Sequence, residues 1–393
     1  MSAIVPFAQL PKNKNIIHRW RMEEASGTRY DSVGGMHNLN TNPSIEVDII
    51  GYGGYSSIVS RDTVEYYHGI ASLKTITQNT TASEGWQRDV KATTEVEKTY
   101  TFSLYLKGSG TVWLMVPTYP YGTTQSSLIA LTNVWRRYNI THTFVTEDTT
   151  NRRLYVRTDV QQTITFYTDA VMHSEGSILY PFSAKIDLTD NNTVLSSTVC
   201  KEGNRCAEFE SDDSESLGAT NALSSDMGFT TENFSISFWY NPESFLAIQV
   251  PIVRGSWDAS GWLCHIDTTP KITFALNTSS TDGVIVSNTL TMSTGTFYMI
   301  TMVRDGNTGY FYQDSIDITS DGSFDGINAE TDTVQHFMIG RRADYSSFYL
   351  DGLIDDVIIW KGIALSPSEV LQLNNLYKAK KKLIPMYLDR RRR

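Results

Sequence analysis

The sequence predicts an all-β protein in which one β-sandwich interrupts another and a short helix closes the chain. Three observations carry that expectation. Short apolar runs with period-two alternation recur along the chain, among them "TYTFSLYLKG", "RLYVRTDV", "TITFYTDAV", "FSISFWYNP" and "LIDDVIIWKG", each bounded by Gly, Asn, Asp or Pro. Helical periodicity is confined to "SPSEVLQLNNLYKAKKK" at 366–382. One phrase also occurs in two fragments, "HNLNTN" at 37–42 and "IDLTDNNTV" at 186–194, as though a domain breaks off and resumes.

Bulk properties narrow the class. A length of 393 residues favours two or three domains, and 40% hydrophobic residues with 8 Trp and 21 Tyr favour a folded chain. No run reaches the roughly 18 apolar residues of a membrane span, and "MSAIVPFAQLPKNKN" lacks the features of a signal peptide. Cys200, Cys206 and Cys264 cannot form a disulfide framework; Cys200 and Cys206 are spaced to pair, with reduced thiols the favoured alternative. Net charge is −10, but the segment from Lys378 onward holds eight Lys/Arg and one Asp, leaving 25 basic against 42 acidic residues, −17, for the body. Such a tail suits an acidic partner surface or another copy's body, and equally a solvated end. The acidic body argues against a nucleic-acid face.

The elements follow in order. Residues 1–12 form an N-terminal arm. "HRWRMEEASGTRYDSVGGMHNLNTN" (18–42) opens a first sandwich, and "TTENFSISFWYNPES" (230–244) continues it with Phe234, Ile236, Phe238 and Tyr240 inward. "GTFYMITMVRDGNTGYFYQDSIDI" (295–318) is a hairpin turning at Asp305-Gly306-Asn307. Ser366 as N-cap, Pro367 at N1 and Glu369 closing a capping box start the helix. "GYGGY" (51–55), Gly-rich with no following helix or Lys, is expected as a loop.

The runs at 230–244, 295–318 and 348–373 together resemble the laminin-G-like, concanavalin A-like jelly roll, and 18–42 resembles its opening strand. That resemblance implies that the strand at 18–24 lies beside 353–360. It also implies a discontinuous jelly roll, 13–43 plus 179–377, with 44–178 inserted into a surface loop and 378–393 as a basic tail. Loop closure cost rises slowly with length, so a folded guest with adjacent termini is tolerated. Within the guest, "YYHGIASLKTIT", "TYTFSLYLKG", "VWRRY" and "TITFYTDAV" resemble family 4/9-type carbohydrate-binding modules. The nested pairing resembles bacteriophage virion accessory proteins. It implies a non-catalytic capsid-decoration or tail-associated protein on the virion surface that adheres to glycans, with capsid or tail partners and homo-oligomerisation. The alternatives are a glycan-hydrolysing or secreted glycan-binding protein of a cell, acting extracellularly, and a ligand-free cement protein.

The residues give little support to catalysis. Retaining glycan hydrolysis needs two carboxylates about 5–5.5 Å apart. The nearest candidate, "EFESDDSES", sets Glu208, Glu210 and Asp212 on one side of an expected strand, but the jelly-roll resemblance makes this ordinary strand and loop. Scattered histidines without a close pair leave a zinc enzyme unsupported, and neither a P-loop nor a G-x-S-x-G elbow is present. Asp355 and Asp356 are expected to be structural. A structural calcium ion, or no cofactor at all, is the expectation, since jelly rolls of both types often hold such an ion through loop oxygens. The resemblance places it at Asp169 with Glu46 or Asp48 in the guest, and at Asp31 in the host, where an Asx-turn role is the alternative. Sugar binding needs aromatic faces beside polar partners. Trp86 and Trp113 fit either a core or a binding face, Tyr119 and Tyr121 flank Pro120 in an expected loop, and Trp257 lies in a rim loop or packs beneath it. Trp135 matches a position generally in the core of the family and is set aside.

Overall fold

The computed structural model describes residues 7–29, 31–32, 39–40, 45, 48–68, 70–117, 123–145, 152–177, 179, 182, 186–221, 224–287, 292–331, 334–344 and 347–389. The chain divides into two compact units, one of Met1–Gly34 with Lys185–Arg393 and one of Gly35–Ala184. Each unit contains two antiparallel sheets, and the α-helix Pro367–Asp389 closes the chain.

In the first unit, strand Phe234–Pro242 lies between Gly352–Lys361 and Tyr298–Asp305. Alternation sends Phe234, Ile236, Phe238 and Tyr240 into a core shared with Trp262, Phe274 and Phe337 of the second sheet. The opposite face is buried too: Trp239, Ile358 and Trp360 lie under Val370, Leu373 and Tyr377 of the helix. Two buried faces explain why "DDVIIWK" lacks a polar side. Strand Ile16–Trp20 runs antiparallel to Gly352–Lys361, pairing Trp20 with Val357. The capping box forms as expected, the Ser366 amide donating to Glu369 Oε2 at 2.9 Å. The hairpin turns at Gly306 and Asn307, with Gly306 at φ +59°.

The last strand carries a bulge. Asp356 has φ +44° and the register against Trp239 shifts there. Its carboxylate takes Arg19 Nε at 2.6 Å and Nη2 at 2.8 Å, together with the Tyr377 hydroxyl. Asp355 Oδ2 accepts the amides of Lys201 and Glu202. Burial, with Asp356 beside it, pushes the Asp355 carboxyl well above the usual range. The adjacent aspartates thus fasten the first strand, the helix and the 201–202 turn to one strand.

A second buried network closes the interruption of this unit. His18 Nδ1 lies 2.7 Å from Asp31 Oδ2 and its Nε2 lies 3.1 Å from Asp226 Oδ2. Burial opposes the charged ring, but Asp226 and Asp31 outweigh it and raise its pKa to about 10. Asp31 also accepts the amides of Arg19 and Ile186, and Arg29 bridges Leu188 through the backbone. The segment 18–31 and the returning residues 186–188 are therefore joined.

In the second unit a five-stranded sheet runs Arg136–Thr143, Thr99–Gly108, Thr165–Glu175, Ser72–Thr77, Ser57–Asp62. The facing sheet runs Tyr52–Tyr55, Gly85–Asp89, Arg153–Thr158, Thr111–Pro117, Thr123–Gln125, with Ile129–Ala130 also paired to Thr111–Pro117. Trp86, Phe102, Leu114, Val156 and Phe166 fill the space between them. "GYGGY", expected as a loop, supplies the strand Tyr52–Tyr55, because pairing with Gly85–Asp89 overrides the low strand propensity of glycine.

Candidate functional site

The six-stranded sheet of the second unit has one face in the core and one outside it. Leu154, Val156, Val112, Leu114 and Trp86 point inward. Alternation therefore sets Tyr155 and Arg157, Trp113 and Met115, and Gly85 and Gln87 on the outer face. Register aligns them in rows: Tyr55, Gly85, Arg157 and Trp113 cross four strands, and Gly53, Gln87, Tyr155, Met115 and Gln125 form the next row.

At Gly85 a Cβ would strike the Val156 carbonyl oxygen, so only glycine fits there, and the Arg157 side chain lies between the rings of Tyr55 and Tyr155. Its guanidinium carbon lies 3.7 Å from the Tyr55 ring centroid and 3.8 Å from that of Tyr155. Burial lowers the guanidinium pKa from its ordinary value. Arg157 forms no ion pair with a carboxylate among the described residues, and its Nε is buried without a partner. Trp113 is half-buried and Tyr55 is 41% exposed, so ring surface remains open.

The start of this strand is fixed by Glu84. Its carboxylate accepts the amides of Gln78, Asn79, Thr80 and Thr81 and the Thr80 hydroxyl. Burial disfavours the ionised form, but these donors outweigh it and hold its pKa at about 2. The turn before Gly85 is thereby pinned. Open rings, a flat cation and the amides of Gln87 and Gln125 make a surface able to stack on and hydrogen-bond a pyranose.

The other expected site residues fall elsewhere. Trp86 is fully buried and donates its indole N–H to Thr168 Oγ1 at 2.8 Å, so of its two readings the core holds. Tyr119, Tyr121 and Glu46 lie outside the described residues. Trp135, expected in the core, is half-buried beside Tyr67. Asp169 serves as a backbone anchor: Oδ2 accepts the Tyr67 and His68 amides and Oδ1 accepts the Ala170 amide. Asp48 accepts the Ile50 amide, and Asp31 is committed to His18 and backbone amides. These carboxylates accept the chain's own donors, and Glu46, expected beside Asp169, lies outside the described residues.

The carboxylates that do converge are Glu210, Glu243 and Asp351, whose oxygens lie within 4.8 Å of one another. Partial burial raises the pKa of each, with nearby carboxylates adding to it: Asp351 for Glu210, Glu210 for Glu243 and Asp212 for Asp351. They are the one such group among the described residues that could share a calcium ion. The strand expected to align Glu208, Glu210 and Asp212 ends at Phe209, and a 3₁₀ turn follows at Ser211–Asp213.

Trp257 belongs to the first unit and packs against His265, ring centroids 5.4 Å apart. With Ile248, Val250, Leu263, Arg342 and Phe348 it lines a cavity of about 200 Å³. Arg342 is held by Asp344 through Nε at 2.9 Å and a second bond from Nη2, and Ser256 donates to the same carboxylate at 2.8 Å.

Sequence reasoning missed Tyr55, Tyr155, Arg157 and Gln87. The signal for Tyr155 and Arg157 was present in "RLYVRTDV", where Leu154 and Val156 take the alternate positions.

The fold is thus a nearly all-β pair of sandwiches with one C-terminal helix, the class in which jelly-roll lectins fall. Residues 214–371 match the family model of the concanavalin A-like lectin/glucanases superfamily. No curated protein matches the chain. Solved structures similar to it include the C-terminal family 22 carbohydrate-binding module of Clostridium thermocellum Xyn10B, at 20% identity over 36% of this chain and 98% of that one, TM-score 0.30. The tandem CBM22-1–CBM22-2 of Paenibacillus barcinonensis Xyn10C is 15% identical over 82% of this chain and 96% of that one, TM-score 0.28. The CBM40 of a Ruminococcus gnavus sialidase is 14% identical over 40% and 92%, TM-score 0.33. No helix among the described residues is long and apolar enough to cross a membrane.

Proposed function

We propose that the protein binds glycans without transforming them, and that the outer sheet face of the second unit is its platform. The observation that carries this reading is the row Tyr55–Gly85–Arg157–Trp113, with open rings on either side of a flat, stacked cation. A pyranose laid along it places its C–H face on an aromatic ring and its hydroxyls toward Arg157 and Gln87. On the virion surface suggested by the sequence resemblance, such a platform serves adhesion to host or environmental glycans.

Affinity electrophoresis and a glycan array, run with the full-length protein, test the proposal. Trp113→Ala and Tyr55→Ala are expected to weaken binding at least about tenfold, the equivalent of roughly 1.4 kcal/mol, with the far-ultraviolet spectrum unchanged. Glycan binding that survives both substitutions at full strength removes this face from the function.

A further inference from the structure

We infer that the glycan taken by this face is acidic, and that its carboxylate pairs with Arg157. This assignment builds on the face being a glycan platform and adds the charge of the ligand. The Tyr55 and Tyr155 rings both lie within 4 Å of the guanidinium carbon, and Tyr155 also takes a side-chain hydrogen bond from it, but a guanidinium carries five N–H donors in its plane. Nε is buried without a partner, and no carboxylate among the described residues pairs with the side chain. Three other arginines removed from solvent are matched within the protein, whereas Arg29 and Arg152 bond backbone carbonyls and, like Arg157, keep Nε without a partner. Arg19 has Asp356, Arg342 has Asp344, and Arg304 has the carbonyls of Gly306 and Thr230 and the amide oxygen of Asn328. A partly desolvated cation with no carboxylate partner is costly, and the partner that best meets a planar fork of N–H groups is a carboxylate.

The surroundings agree. Arg153 lies on the same face four residues along the strand, and the acid in register with it, Asp89, sits at the sheet margin accepting the Lys91 amide. Trp113 and Arg157 are cross-strand neighbours. Side chains so placed are about 5 Å apart, comparable to the reach from the centre of a uronate ring to its carboxylate. A uronic residue stacked on Trp113 can therefore present its carboxylate to Arg157 without leaving the ring.

The test compares polygalacturonate and alginate with carboxyl-reduced polygalacturonate and neutral xylan. Affinity electrophoresis and calorimetry are run on the full-length protein and on its Trp113→Ala, Arg157→Gln and Arg157→Lys variants, with thermal melts to confirm folding. The expected result is acidic polymer bound at least about tenfold more tightly than its carboxyl-reduced form, with that preference falling as salt is raised. Arg157→Gln abolishes the preference, and Arg157→Lys retains only part of it because an ammonium cannot form the planar fork. Equal, Trp113-dependent binding of the reduced and acidic polymers overturns the charge assignment and leaves the platform standing. Binding of no polymer in a Trp113-dependent way overturns the platform and the assignment with it. Acid-selective binding indifferent to Arg157→Gln also overturns the assignment and points to the basic C-terminal segment.

Discussion

The two units each set a tryptophan near an arginine outside their cores, and they treat the arginine in opposite ways. Around Trp257 in the first unit, Arg342 is locked to Asp344, which Ser256 also holds, and the cavity beside them is mostly apolar. Beside Trp113 in the second unit, Arg157 is stacked between two tyrosines and has no acid. The residue types are nearly the same, yet one cluster is electrostatically complete and the other is not. What distinguishes a prepared binding face is therefore whether its polar groups are already answered from within, not the inventory of rings and charges.

The largest expected effect tests whether the row is a face at all. Trp86 and Trp113 come from neighbouring parts of one sheet, the first inside and the second outside. Trp86→Ala should cost about 3–5 kcal/mol through the cavity it leaves and the lost bond to Thr168, whereas Trp113→Ala should cost less than about 1 kcal/mol. Urea unfolding followed by circular dichroism separates them. A Trp113→Ala cost equal to that of Trp86→Ala would make the row part of the core and void the contrast.

Next in size is a pH effect in the first unit, where a buried cation is fully paired. The His18 pKa is raised to about 10 by Asp226 and Asp31 against an ordinary 6.5. The folded state thus holds a proton that the unfolded state releases across this interval. The resulting stabilisation is fully present below pH 6.5 and is lost as pH rises through about 10, and it amounts to several kcal/mol. Unfolding midpoints measured from pH 6 to 10.5 should fall for the wild type and fall less for His18→Gln. Parallel curves for the two proteins would mean that His18 is not held as an imidazolium.

How much of this contrast was legible in the sequence differs between fold and site. Strand alternation is local, so Phe234, Ile236, Phe238 and Tyr240 announced their inward face, and the Ser366–Glu369 capping box announced the helix. The site depends on strand order. Tyr55, Gly85, Arg157 and Trp113 become one row only because the sheet orders its strands out of sequence. The same holds for Glu210, Glu243 and Asp351, which three distant segments bring together. The calcium expectation rested on the jelly-roll resemblance, which placed an ion at Asp169. What no sequence reading reached is that Asp169 accepts three backbone amides.

The smallest expected effect bears most directly on the opening contrast, because it compares the two arginines in one measurement. Arg342→Ala removes one partner of a largely buried pair, leaves Asp344 with Ser256 as its remaining side-chain donor, and should cost about 1–3 kcal/mol. Arg157→Gln removes two stacking contacts, each contributing about 0.5–1 kcal/mol, and at the same time relieves an unanswered, partly buried cation. These terms oppose one another, so the net change in stability should lie within about 1 kcal/mol of zero, while Arg342→Ala leaves glycan binding unchanged. Matched unfolding curves decide between the two states. A cost for Arg157→Gln as large as that for Arg342→Ala would show that the Arg157 charge is already satisfied in the free protein, and the row would then have no electrostatic reason to take an acid.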